Sequence, residues 1–253
     1  MIKQFIHLVF YILSLAISSE IFVGCDKNTL PLFENDRIPV APKVPLNDPA
    51  IVPVACTDQW WIDKHNDKKN NSIQNQKIIF IGNSITQGWE ETDVWNELNE
   101  KYDNRITNLG FGGDKTQNVI WRLENGEFPA GINPEYAVVM IGTNNGDKPE
   151  STAAGIGKIL KIINTQSPLT KIILMSLLPR GNGINDNSTK RNNAVNDIIK
   201  NYNNYVNIQY VNLGQYYIDN NGQLRNELFS DKLHLTEEGY VIWKNKLIEI
   251  IGE

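Results

Sequence analysis

Ser84 and the late segment Asp231-Lys232-Leu233-His234 are the parts of this chain whose residue types and order could carry out chemistry. A serine hydroxyl is a weak nucleophile until a base takes its proton. An imidazole serves as that base when a carboxylate holds its second nitrogen. Asp231 and His234 are three residues apart, so a tight loop would let the carboxylate accept from one ring nitrogen and leave the other basic. The chemistry of such a set is acyl transfer from an ester. The chain has three histidines. His7 sits in an apolar N-terminal stretch and His65 precedes the first core strand, which leaves His234 as the candidate base. Taken singly, Gly-x-Ser reads as a helix cap and Asp-x-x-His as a surface pair.

Two further segments could supply hydrogen-bond donors. Asn108-Leu109-Gly110-Phe111-Gly112-Gly113-Asp114 places glycines after an apolar run, where backbone can approach a ligand and the Gly113 N–H can meet an oxyanion. Gly142-Thr143-Asn144-Asn145 offers the Asn144 amide, a neutral donor. Each would otherwise be an ordinary turn. Other nucleotide and hydrolase motifs do not fit. The segment around Ser84 is neither Gly-x-Ser-x-Gly nor a phosphate-binding loop, and the glycines at 110, 112 and 113 lack dinucleotide spacing. Arg180, in a Pro-Arg-Gly loop, reads as a structural ion pair more readily than as a leaving-group contact. Trp89, Trp95, Trp121 and Trp243 read as packing residues.

An alternating framework must position these residues. Short apolar runs at 78–81, 105–109, 136–141, 171–177 and 207–213 read as buried strands. Helical spacing is found at 93–102, 116–123, 151–165, 190–201 and 236–251, with Thr236 as a cap. Strand-helix alternation predicts an α/β fold: a three-layer α/β/α sandwich around a five-stranded parallel sheet. Right-handed crossovers then bring the strand C-terminal ends to one edge, where ligands bind in such sheets. Ser84, Gly113 and Asn144 follow the first three strands, so all fall on that edge.

The chain has 253 residues, a net charge of −5 and 41% apolar residues. No basic stripe is present, so nucleic acid is excluded as the expected partner. Residues 1–25 read as a signal peptide: Lys3 precedes an apolar stretch, and small residues follow. Phe22-Val23-Gly24-Cys25 resembles a lipoprotein cleavage site, which would attach Cys25 to a membrane. The expectation is an exported protein, either an envelope lipoprotein or a periplasmic or secreted one. Six of the eleven prolines fall between Pro31 and Pro53. Residues 26–56 therefore read as a Pro-rich tether, and residues 57–253 as the catalytic domain. Cys25 and Cys56 are the two cysteines, free to pair if Cys25 carries no lipid.

In this order and on this framework, the segments around Ser84, Gly113, Asn144 and Asp231–His234 resemble the four blocks of the SGNH, or GDSL-like, hydrolase superfamily. The likeness extends to the catalytic subunits of platelet-activating-factor acetylhydrolases. It runs through Asn108–Asp114, Trp121-Arg122-Leu123-Glu124-Asn125-Gly126-Glu127, Leu177–Gly181 and Leu233–Thr236, over about residues 58–250. The resemblance implies a flavodoxin-like fold, a Ser84-His234-Asp231 triad, an oxyanion hole from Ser84, Gly113 and Asn144, and no cofactor or metal. It also implies a homodimer. Asn83 stands where many members have aspartate, with little catalytic consequence expected.

Ile85 and Leu233, beside the nucleophile and base in sequence, are expected to border the acyl group and favour acetyl, or else to pack in the core. The expected substrate is a small acylated molecule, an acetylated saccharide. The alternatives are a phospholipid or lysophospholipid, and an inactive exported binding protein using the same pocket.

Overall fold

The computed structural model describes residues 39–70, 73–146 and 148–252. Strands β1 (Ile78–Gly82), β2 (Ile106–Gly110), β3 (Tyr136–Met140), β4 (Lys171–Met175) and β5 (Ile208–Val211) form one sheet of order β2-β1-β3-β4-β5. All four pairings are parallel. Every residue of β1 is buried, as an apolar run covered on both faces requires.

The helices are α1 (Gln59–Asn70), α2 (Ser84–Gln87), α3 (Asp93–Lys101), α4 (Thr116–Arg122), α5 (Pro149–Gln166), α6 (Asn187–Ile199) and α7 (Glu237–Ile251). In one layer α5 packs against both α4 and α6; in the other α3 packs against α7. This is the three-layer α/β/α sandwich. Ends differ from expectation where side chains intervene. Helix α6 starts at Asn187 because the Asp186 carboxylate accepts from Ser188 N at 2.8 Å and caps it. Strand β4 stops at Met175, and Leu177 N then donates to Asn196 Oδ1 at 2.8 Å.

The tether expectation for residues 26–56 fails over its second half. From Asp48 to Val54 the chain lies along α4 and α5 as a bound strap. Thr116 Oγ1 donates to Ala50 O (2.8 Å), Lys158 Nζ to Ile51 O (3.1 Å) and Asn118 Nδ2 to Val54 O (3.0 Å). Ser151 Oγ meets Asp48 Oδ2 at 2.7 Å, and Ala50 is fully buried. The segment is turned, with Ile51 N donating to Asp48 O at 3.1 Å, and its remaining carbonyls find donors on the helices, so it is ordered against them. The predicted export segment, Cys25 and its pairing with Cys56 lie outside the described residues. Among the described residues, no helix is long and apolar enough to cross a membrane.

Candidate active site

Strand order reverses at β1: β2 lies on one side of it and β3 on the other. The crevice at the carboxyl ends of these strands is where doubly wound sheets bind ligands. Ser84 sits there because β1 ends at Gly82 and Asn83 starts a helix. The Asn83 side chain accepts from Ile85 N at 3.0 Å and caps α2. Asn83, which replaces the more usual aspartate, is thus a buried cap. A carbonyl oxygen does that task as well as a carboxylate. Helix α2 lies directly on β2. A Cβ on Gly110 would fall 2.3 Å from Gln87 N, so only glycine fits. Tyr240 of α7 donates to Ile85 O at 2.7 Å and holds α2 from the opposite side.

The base arrives on a closed turn. Ser230 N donates to His234 O (2.9 Å), and Phe229 and Leu235 form an antiparallel bridge. Inside the turn, Asp231 Oδ1 accepts from the backbone N–H of Leu233 (3.0 Å) and His234 (2.7 Å). Oδ2 lies 2.7 Å from His234 Nδ1. The other ring nitrogen, Nε2, lies 2.9 Å from Ser84 Oγ. Partial burial pushes the Asp231 carboxyl up. Its bonds to His234 and to Leu233 N outweigh that and hold it below the usual aspartate value. It therefore stays ionised at neutral pH. Lys232 adopts φ +65° within the turn, held by Gly181 N on its carbonyl (2.9 Å) and by its own ammonium on Asn182 (3.0 Å).

The two donor segments follow β2 and β3. Gly113 has φ +78° with open space where a Cβ would stand, so its conformation is what requires glycine. Gly112 N is taken by Gln87 Oε1 at 2.7 Å. Asn144 Nδ2 donates one hydrogen to Asp114 O at 3.1 Å. An amide nitrogen carries two, so one remains for a ligand. The turn before it is anchored by Thr143 O, which accepts from Arg191 Nη2 (2.6 Å) and Arg180 Nη1 (3.3 Å). Among the described residues, the ion pair expected of Arg180 is not found; the guanidinium braces this turn.

Beneath these loops lies a charged network that sequence reasoning missed. Arg122, wholly buried, donates through Nε to Asp114 Oδ2 at 2.8 Å and through Nη1 to Glu127. Its Nη2 reaches Leu109 O (3.1 Å) and Gly82 O (3.4 Å). Trp61 Nε1 donates to Asp114 Oδ1 at 2.7 Å, and His65 Nδ1 lies 2.7 Å from Glu127 Oε1. Burial raises the Asp114 pKa against the pull of Arg122 and Trp61. Burial disfavours the Arg122 cation, but Glu127 and Asp114 outweigh it and raise its pKa. The available signal was an arginine beside Val119, Ile120 and Leu123, all buried.

A cleft of about 580 Å³ opens beside Ser84 and His234. Gln87, Glu91, Thr92, Ser230 and Glu237 bring polar side chains to its wall, and Leu235 and Tyr240 bring apolar surface. Ile85 and Leu233, expected at the acyl group, are not among the lining residues. Ile85 is 3% exposed and belongs to the core; Leu233 is half-buried and packs against that core. Successive helical residues lie about 100° apart. With Ser84 facing the cleft, Ile85 turns inward. Leu235, two residues past Leu233, meets the cleft instead. Gln87 was also missed; its position three residues after Ser84 on one helix was the signal.

The match to the GDSL-like lipase/acylhydrolase family spans residues 80–242, and the chain belongs to that family. The alpha2 subunit of platelet-activating factor acetylhydrolase IB from Homo sapiens is 34% identical over 214 residues, covering 81% of this chain and 91% of that protein. Among solved structures, a GDSL-like lipase from Bacteroides thetaiotaomicron superposes with a TM-score of 0.61 at 20% identity, covering 76% of this chain and 95% of that one. An acetyl xylan esterase from Geobacillus stearothermophilus gives a TM-score of 0.54 at 19% identity, covering 71% and 95%. The chain is therefore an ester hydrolase of the GDSL type.

Proposed function

We propose that this protein removes short acyl groups, acetyl above all, from the hydroxyls of a polar substrate such as a saccharide. Ser84 attacks the ester carbonyl while His234 takes its proton, and Asp231 orients and stabilises the imidazolium. The N–H groups of Ser84 and Gly113 and the Asn144 amide receive the oxyanion. His234 then protonates the leaving alcohol, and water releases the acid. One observation carries the substrate reading: the cleft beside Ser84 has Gln87, Glu91, Thr92 and Glu237 in its wall. Such groups hydrogen-bond hydroxyls. A long acyl chain gains about 0.8 kcal/mol per methylene only where apolar surface receives it, and here Leu235 and Tyr240 are the large apolar side chains of the wall.

The test compares p-nitrophenyl acetate, butyrate and octanoate, followed by an acetylated xylo-oligosaccharide and an acetylated phospholipid. Acetate should exceed octanoate in kcat/KM by at least about tenfold. Equal or faster octanoate cleavage would sink the short-acyl reading. The relatives named for platelet-activating factor favour a second reading, acetyl removal from a phospholipid. It keeps the acyl group but brings a phosphate, which Glu91 and Glu237 would repel at close range. Replacing Asn144 by alanine should lower kcat by about 10²–10³ and leave the melting temperature near wild type. Unchanged turnover would remove Asn144 from the mechanism.

The same reading takes the protein as exported and attached through Cys25. Fatty-acid labelling that persists in Cys25→Ala would rule that attachment out.

A further inference from the structure

We propose that Arg122 is the positioning residue of the oxyanion hole, one buried cation that sets the chain beside each of its three donors. The inference rests on the mechanism proposed above, in which Ser84 N, Gly113 N and the Asn144 amide receive the oxyanion. Gly82, whose carbonyl accepts from Arg122 Nη2 at 3.4 Å, is two residues before Ser84. Leu109, whose carbonyl accepts from the same nitrogen at 3.1 Å, lies at the end of β2. Asp114, which takes Nε at 2.8 Å, directly follows Gly113. The carbonyl of Asp114 in turn accepts from Asn144 Nδ2 at 3.1 Å. The guanidinium also lies 3.9 Å from the centre of the Phe111 ring, inside the glycine loop. Glu127, backed by His65, fixes the far side of the guanidinium.

Arg122 itself touches neither the cleft nor a reacting atom. It is 0% exposed. Stability alone does not call for such a group, since buried ion pairs are often replaced by apolar side chains without loss. A guanidinium is suited to joining three segments because its five donors are held in a rigid plane. A lysine ammonium is a point charge and cannot span them. Reaction geometry is sensitive at this scale: a displacement of about 1 Å costs roughly 10²-fold in rate.

The experiment measures kcat and KM for p-nitrophenyl acetate on the full chain. It compares wild type, Ser84→Ala, Arg122→Lys, Trp61→Phe, Asn144→Ala and the double variants, with folded fraction measured by near-UV circular dichroism. Arg122→Lys should lower kcat per folded molecule by about 10²-fold with KM within a few-fold of wild type. Trp61→Phe, which removes one donor from Asp114 and leaves Arg122 in place, should lower kcat about tenfold. Adding Asn144→Ala to either should cost much less than its full factor, because the donors act as one unit.

A purely structural role gives the opposite pattern: a lower folded fraction, unchanged kcat per folded molecule, and multiplicative double variants. That pattern overturns the proposal. If Arg122→Lys does not fold, Trp61→Phe and its double variant decide on the same criteria. A wild type no faster than Ser84→Ala sinks the esterase mechanism, and this proposal with it. An active wild type with unaffected Arg122 and Trp61 variants sinks this proposal alone.

Discussion

Ser84→Ala should lower kcat on acetate esters by about 10⁶-fold and leave the fold in place. The substitution deletes one oxygen, the atom 2.9 Å from His234 Nε2. It spares the local structure, because α2 is capped by the Asn83 side chain and not by the Ser84 hydroxyl. Tyr240 continues to hold Ile85 O. Binding and oxyanion donors remain, so a residual rate above that of water should persist. Kinetics beside a thermal melt test this. A folded variant that keeps most of its turnover would require another nucleophile and would dissolve the proposed triad.

Asp231→Asn should cost about 10⁴-fold in kcat, and the geometry says why so small a change matters. In the wild type, Oδ1 receives two backbone N–H groups and Oδ2 faces His234 Nδ1. Asparagine keeps an oxygen for the backbone pair, so the turn survives. Its NH₂ group then takes the place of Oδ2 and donates toward Nδ1. The ring answers by carrying its proton on Nε2, pointing at the serine it should deprotonate. The variant should thus fold, bind substrate with little change in KM, and turn over slowly. If kcat falls less than about tenfold, the orienting role passes to another group.

Much of the framework was legible because strands with both faces covered are written as unbroken apolar runs. Ile78–Ile81 and Tyr136–Met140 leave little else for those segments to be. The site residues were legible for a related reason: Ser84, Gly113 and Asn144 each follow such a run. Positions fixed by long-range partners were not. Trp61 and Asp114 are 53 residues apart, and His65 and Glu127 are 62 apart. No local pattern pairs them. Ile85 and Leu233 were read from adjacency to the nucleophile and base, but a helix and a tight turn send neighbours in different directions. The strap at 48–54 is not legible because proline content says nothing of the turn at Asp48–Val52 or of the donors waiting on Thr116, Asn118 and Lys158.

The closed turn from Phe229 to Leu235 carries both acid and base, and it has its own bonds. Asp231 and His234 stay paired through contacts three residues long, so their mutual geometry is indifferent to the sheet. Gly181 and Asn182 hold the turn at Lys232, and within the triad the 2.9 Å step from His234 Nε2 to Ser84 is its link to the nucleophile. The triad has, in effect, one seam, between Ser84 and His234. A change that shifts the anchors at Gly181 and Asn182 should silence the enzyme by parting Ser84 from His234 while Asp231 and His234 stay paired.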